Sequence, residues 1–378
     1  MKEKLQTKKE TIGKKEYLYK GPEEHGVTQS LLARYIGCKE RFYIHAMEGL
    51  GLSQEFSSRL EYGQFWHIAE ECYLAGRDWM QEIKDYRDGL LNKYPLSGED
   101  IVKWWNVCKV QFPIYAEYWR RNASKEKLQP IMQEVAFEIP YRLPSNRIVL
   151  LRGKWDAVNH VNRGRKQFIF LQENKTKGQI LPLKIQKELK FDLQTMLYLV
   201  ALTDEENHEL TSRVDMSRCA IGGVNYNVVR RPLSGGKGTI RRHKPTKSKP
   251  QGESEEEYYA RLKGVIEEDQ DTYFARWEVG LGKDDIDRFK EEFLNPCLED
   301  LCDDFEWWRE CYKNRVSRFD YVARERQFTN HRQRHWRLPY GVYNPIMEGG
   351  STDLEHYLET RDKTGLQRIE SLFPELED

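Results

Sequence analysis

The sequence predicts an α/β fold, with a central mixed sheet flanked by helices and preceded by a helical region. Two changes of pattern along the chain lead to it. From Leu31 to about residue 122, apolar and aromatic residues recur at helical spacing. From Gln133 onward short β-rich runs between turn residues replace that pattern, and a helical stripe then separates the third run from a fourth. Strand, strand, strand, helix, strand, with helices before it, is the order of an α/β fold with a mixed sheet.

Each element has a local reason. Thr28-Gln29-Ser30 offers helix-starting hydroxyls ahead of Leu31, Leu32, Tyr35 and Ile36. Phe65, Trp66, Ile68, Ala69 and Tyr73 keep the helical period, as do Trp104, Trp105, Val107, Phe112, Tyr115, Tyr118 and Trp119. Pro95, Ser97 and Gly98 break the pattern between 92 and 100. Gln133–Ile139 alternates, and Ile148–Leu151 and Phe168–Leu171 are short β-rich runs, with Asn159–Gln167 as the hairpin loop joining the last two. Pro182 opens a single helix whose buried stripe is Ile185, Leu189, Leu193, Leu197 and Val200. Cys219–Tyr226 reads as a strand, followed by a helix around Glu255–Glu268, a short strand near Tyr273–Trp277 and a long helix from about Asp284 to Tyr312. The expected organisation is a flexible arm over 1–25, an N-terminal helical region over 26–125, a core over 126–315 with a mobile basic insertion at 231–252, and a C-terminal extension over 316–378.

Composition narrows the chemistry less than the motifs do. Lys plus Arg and Asp plus Glu both number 61, so the sum of charge announces no polyanionic partner. The distribution does more: Arg230 to Lys249 holds eight basic residues and no acid, and Arg315 to Arg337 adds Arg318, Arg324, Arg326, Arg332 and Arg334. Single charge runs are more often solvated faces, so these support a phosphate partner only alongside a site. No run is long and apolar enough for a membrane span, and the charged start lacks a signal-peptide core, which together predict a cytoplasmic protein. Seven cysteines suit reduced thiols better than a disulfide framework. Ser234–Gly238 lacks Walker spacing, and no Gly-x-Ser-x-Gly elbow or HExxH helix is present.

The chemistry concentrates in Arg152-Gly153-Lys154-Trp155-Asp156, Gln172-Glu173-Asn174-Lys175 and Gln194-Thr195-Met196-Leu197-Tyr198. Asp156 and Glu173 follow neighbouring runs, so both carboxylates can reach one point at a sheet end. Lys175, two residues past Glu173, shares its face. Two hard oxygen anions can hold Mg²⁺ or Mn²⁺, and an ammonium beside them can steady the charge of a hydrolysed phosphodiester. Gln194 and Tyr198, four apart, share a helical face. Glu134, on the preceding strand, is read as a solvent-facing residue rather than a supporting carboxylate.

In this order Gly-x-x-Asp, Glu-x-Lys and Gln-x-x-x-Tyr resemble the PD-(D/E)XK nuclease superfamily, in particular its RecB-like exonuclease branch, with stand-alone phage enzymes among them. The resemblance implies a restriction-endonuclease-like core and a Mg²⁺- or Mn²⁺-dependent deoxyribonuclease with Asp156, Glu173 and Lys175 as catalytic residues. It implies that His67, in Tyr62–Glu70 with Gly63 four residues before it, joins Asp156 and Glu173 as a metal ligand, and that Gln194 and Tyr198 contact DNA. Arg230, Arg231, Arg241 and Arg242 are the expected backbone-binding residues of the insertion. Some relatives bind a four-iron cluster, and Ser30–Tyr43 with Cys38 is similar to their N-terminal segment. Here Cys297, Cys302 and Cys311 fall along one helical run, where thiolates diverge too far, so no iron–sulfur cluster is expected.

An exonuclease on linear or single-stranded DNA in recombination or repair is the reading preferred on this resemblance, with a recombination or single-strand-binding protein as a partner and a bacterial or phage-infected cell as the setting. A structure-selective endonuclease of resolvase type and a non-catalytic DNA-binding protein of the same fold are the competing readings. Oligomeric state is left open.

Overall fold

The computed structural model describes residues 17–52, 56–126, 128–189, 192–204, 207–215, 218–234, 236, 238–247, 249–313 and 366–376. The second basic stretch, 315–337, and the first sixteen residues of the expected arm lie outside the described residues. The chain divides into two compact units, one of residues 1–53 with 300–378, the other of residues 54–299.

In the first unit Thr28 caps α1 (Gln29–Gly37), its side chain accepting from the Leu31 N–H, and α2 (Lys39–Phe42) follows Cys38 directly. Strand β1 (Leu50–Leu52) pairs antiparallel with β7 (Leu366–Arg368). Tyr19, Phe42, Phe305 and Trp308 pack edge to face and stacked in its core.

The second unit carries the candidate site. Its helical layer is α3 (Ser58–Leu74), α4 (Trp79–Lys93) and α5 (Gly98–Glu126), with α9 (Glu255–Glu268) and the short α10 (Gln270–Tyr273) added later in the chain. Tyr62, Phe65, Trp66, Trp104, Phe112 and Tyr115 build one aromatic core with Val229 and Phe274 of the sheet. The break between α4 and α5 falls at Tyr94–Ser97, where Pro95 cannot continue a helix. The five sheet strands are β2 (Leu128–Arg142), β3 (Ile148–Arg163), β4 (Lys166–Lys177), β5 (Cys219–Arg230) and β6 (Phe274–Gly280), in that spatial order. Only β4 and β5 run parallel, so the sheet is mixed. The crossover between them holds α6 (Pro182–Leu189), α7 (Leu193–Thr203) and α8 (His208–Thr211). Beyond β6 come α11 (Lys283–Phe289), a π-turn and α12 (Asn295–Lys313), which continue one another as the expected long helix.

Three expected boundaries shift. The β3–β4 hairpin loop is not Asn159–Gln167 but the two residues Gly164 and Arg165, because Asn159, His160 and Val161 stay in the ladder and Gly164 supplies φ +65°. Asp156 consequently lies within β3 rather than after it. The helix expected from Pro182 to Val200 is two helices, since the Asp192 carboxylate accepts from the Thr195 N–H at 3.0 Å and starts α7 afresh.

The ladder between β3 and β4 ends at Ala157↔Gln172. Below it β3 continues only against β2 and β4 only against β5, so the two central strands part just where Asp156 and Glu173 stand. Helix α7 packs across β2, β3 and β4 at this point. Trp155 stacks on Phe137 with ring centroids 4.3 Å apart, and Tyr198 stands edge-on to Phe137 at 5.4 Å. Gly153 makes room for them: a Cβ there would lie 2.7 Å from Phe137 and 2.9 Å from Tyr198. We predict that Gly153→Ala lowers the stability by about 1–3 kcal/mol through forced displacement of these rings. Chemical denaturation checks this, and an unchanged midpoint contradicts it.

Candidate active site

Alternation along the strands sends the site residues to two faces. On β4, Glu173 and Lys175 face α7, while Gln172 and Asn174 face the aromatic helices. The Lys175 ammonium contacts Glu173 Oε1 directly. Gln194 from α7 holds both, its carbonyl accepting from Lys175 at 2.9 Å and its amide donating to Glu173 Oε1 at 2.8 Å. Glu173 is almost wholly buried, its side chain 2 % exposed. Its second oxygen, Oε2, is buried with no hydrogen-bond partner among the described residues. Across the parting of the strands, Asp156 accepts from the Asn174 N–H at 2.7 Å. One donor atom each of His67, Glu134 and Asp156 fall within 4.8 Å of one another, with His67 Nδ1 at 3.4 Å from Glu134 and 3.9 Å from Asp156.

The electrostatics follow from burying so many acids together. Burial, then the Asp156 carboxylate, pushes Glu173 up to about 8 against the lowering by Lys175. Burial likewise raises Asp156, opposed by His67. Burial alone would lower His67, but Asp156, Glu134 and Glu70 raise it to about 9. Lys175 behaves in the same way: burial lowers it, and Glu173 and Asp156 more than offset that and raise it.

The sequence model of the PD-(D/E)XK nuclease superfamily matches residues 27–311, more than half of the chain. The chain belongs to that superfamily. No curated protein matches the chain. Superfamily membership implies a divalent metal, and the donors at the strand parting fit one. They are hard carboxylate oxygens with one imidazole nitrogen, Glu173 Oε2 has no partner among the described residues, and burial raises the Asp156 and Glu173 carboxyls in a way that an added cation would relieve.

Of the residues singled out from sequence, Glu173, Lys175 and Gln194 touch one another, and Asp156 and His67 adjoin on the opposite side of the parting. Tyr198 places its ring in the core beside Gly153, 9 % exposed. Arg230 is buried against the Tyr273 ring, and Arg231 donates to the Thr176 carbonyl at 3.1 Å, while Arg241 and Arg242 are exposed. The insertion over 231–252 carries no helix or strand among its described residues, yet Ile240 is buried and its carbonyl accepts from the Tyr258 hydroxyl. A Cβ at Gly63 would meet Thr176 Oγ1 at 3.6 Å, ordinary contact, so the approach of α3 to β4 does not require that glycine. Cys297 and Cys302 lie on α12, and the side chain of Cys311 lies outside the described residues.

Glu134 is the residue that strand alternation misplaced. His67 of α3 stands 3.4 Å from it, the Glu134 side chain is 14 % exposed, and Lys154 pairs with it at 2.8 Å. Its φ of +48° is left-handed, a conformation costing a non-glycine residue about 1–2 kcal/mol, and it turns the carboxylate toward His67. The sequence also gave no signal for Glu70, whose carboxylate accepts from Tyr115 at 2.6 Å and from Asn227 at 3.3 Å behind His67.

A carboxyl whose folded pKa is raised favours the folded state below its ordinary value and loses that advantage as pH rises. In EDTA the protein is therefore expected to lose stability between pH 4.5 and about 8 as Glu173 ionises. Glu173→Gln should flatten this slope. Urea midpoints across that window check it, and equal slopes for the two proteins contradict it.

Proposed function

We propose that the protein is a Mg²⁺- or Mn²⁺-dependent deoxyribonuclease, acting as an exonuclease on linear or single-stranded DNA in recombination or repair. The observation that supports this reading is the Glu173–Lys175 pair where β3 and β4 separate, with Glu173 Oε2 buried and unpartnered among the described residues and the His67, Glu134 and Asp156 donors grouped across the parting. Asp156 and Glu173 would hold the cation, with His67 and Glu134 as further donors on the α3 side. When bound, that cation supplies Lewis-acid stabilisation of the phosphate and a more acidic water.

The remaining work falls to the chain itself. Lys175 is raised, so it is an ammonium at neutral pH and serves as a positive charge beside the reacting phosphate rather than as a base. Gln194 fixes that ammonium by accepting from it, and fixes Glu173 by donating to it, so that one amide sets two site groups. The Asn174 N–H holds Asp156 in register with them.

End-labelled linear and closed circular DNA incubated with Mg²⁺, Mn²⁺ or EDTA test the reading. Linear DNA is expected to be degraded only with a metal, and Lys175→Ala and Asp156→Ala should each slow this by at least about 100-fold while the fold is kept. Cutting of circles would replace the exonuclease by an endonuclease. Unchanged cleavage in both variants would remove these residues from the chemistry.

A further inference from the structure

A cavity of about 660 Å³ opens at the β6 edge of the sheet, and its lining includes none of the site carboxylates. Its walls are mainly aromatic and cationic, with Tyr118 and Trp119 from α5, Phe274, Arg276 and Trp277 from β6, and Arg230 from the end of β5; one acid, Asp271, also lines it and accepts from the Tyr118 hydroxyl at 2.6 Å. Tyr118 and Trp119 stand edge to face at 4.8 Å, and the Arg276 guanidinium lies 3.9 Å from the Trp119 ring centroid. The Trp119 indole N–H is buried and has no acceptor among the described residues. The volume is that of a site for one small ligand. Flat π faces beside guanidinium groups are the chemistry that holds a nucleobase and its phosphate without regard to base identity.

The cavity is also placed to serve the strand being cut. Lys175 registers with Val228, and Val228 with Ala275 in the cavity wall. At about 4.8 Å per strand, the backbone of Ala275 is roughly 10 Å from that of Lys175. Gln179, Ile180, Leu181 and Pro182, which follow directly on β4, form the near wall. Hydrogen bonds join the two places, from Arg276 to Asn227 at 3.2 Å, Asn227 to Asn174 at 2.8 Å and Asn174 to Asp156 at 2.7 Å.

We propose that this cavity is a stacking subsite for one unpaired base of the DNA strand whose phosphodiester lies at the metal site. The inference rests on the nuclease reading and adds a substrate preference to it. A base held in a duplex is stacked on both faces and paired along one edge, so only a single-stranded segment or a frayed end can place a base here. The enzyme should accordingly favour ends with unpaired nucleotides over blunt ones.

The test is binding of a labelled short oligothymidylate in EDTA, read by anisotropy, beside cleavage of the same strand with Mg²⁺ or Mn²⁺. Trp277→Ala and Tyr118→Ala are each expected to weaken binding about tenfold, and Trp277→Phe should recover most of the loss. An abasic oligonucleotide of equal length should bind the wild type no better than it binds Trp277→Ala. Wild-type affinity in both alanine variants, with DNA cleavage intact, overturns the subsite and leaves the nuclease reading standing. Failure of the wild type to cleave DNA with either ion overturns the reading beneath it as well.

Discussion

Like charges held together out of water dominate this protein's second unit. Asp156, Glu173, Glu134 and Glu70 all lie mostly or wholly buried around the point where β3 and β4 separate, and the first two are raised by burial and, after it, by a neighbouring carboxylate. Such an arrangement costs folding free energy unless cations answer it. Lys175, Lys154, His67 and Arg276 do so in part. Glu173 Oε2 is left with nothing among the described residues. The left-handed backbone at Glu134 adds strain at the same place, as expected where a fold gives up stability to aim a side chain.

The surrounding fold can be understood as the means of keeping that crowding in place. A continuous hairpin would have zipped β3 to β4 along their whole length and closed the gap. The ladder instead stops at Ala157↔Gln172, and beyond it β3 is held by β2 and β4 by β5 through their outer edges. Gly153 lets Phe137, Trp155 and Tyr198 pack tightly beneath the gap, and the polar line Asn159, Gln172, Asn174 and Asn227 satisfies the sheet's helix-facing side. Gln194 then locks the Glu173–Lys175 pair from α7.

Much of this was legible in the residues, and the failures have physical causes. The change from helical to strand pattern, read from Gln133 and found at Leu128, and the mixed sheet follow from periodicity and order. Strand ends did not, because Asn159, His160 and Asn162 are poor strand formers that the ladder nevertheless holds. Asp192 was legible as a cap in principle, but the apolar stripe from Ile185 to Val200 passed through it unbroken. Glu134 escaped because alternation tells which residues share a face, not what covers that face, and Glu70 because a helical period does not name the distant partners Tyr115 and Asn227. The basic run around Arg230 shows the converse error: Arg230 itself is buried against Tyr273, where a charge count would have put it in solvent.

The most direct test is calorimetric titration of Mn²⁺ into metal-free protein, with Asp156→Asn and Glu173→Gln alongside. The account predicts saturable binding to the wild type that weakens by at least about tenfold in either variant, since each removes a hard anionic donor. Wild-type affinity in both variants would show that the buried carboxylates serve something other than a cation.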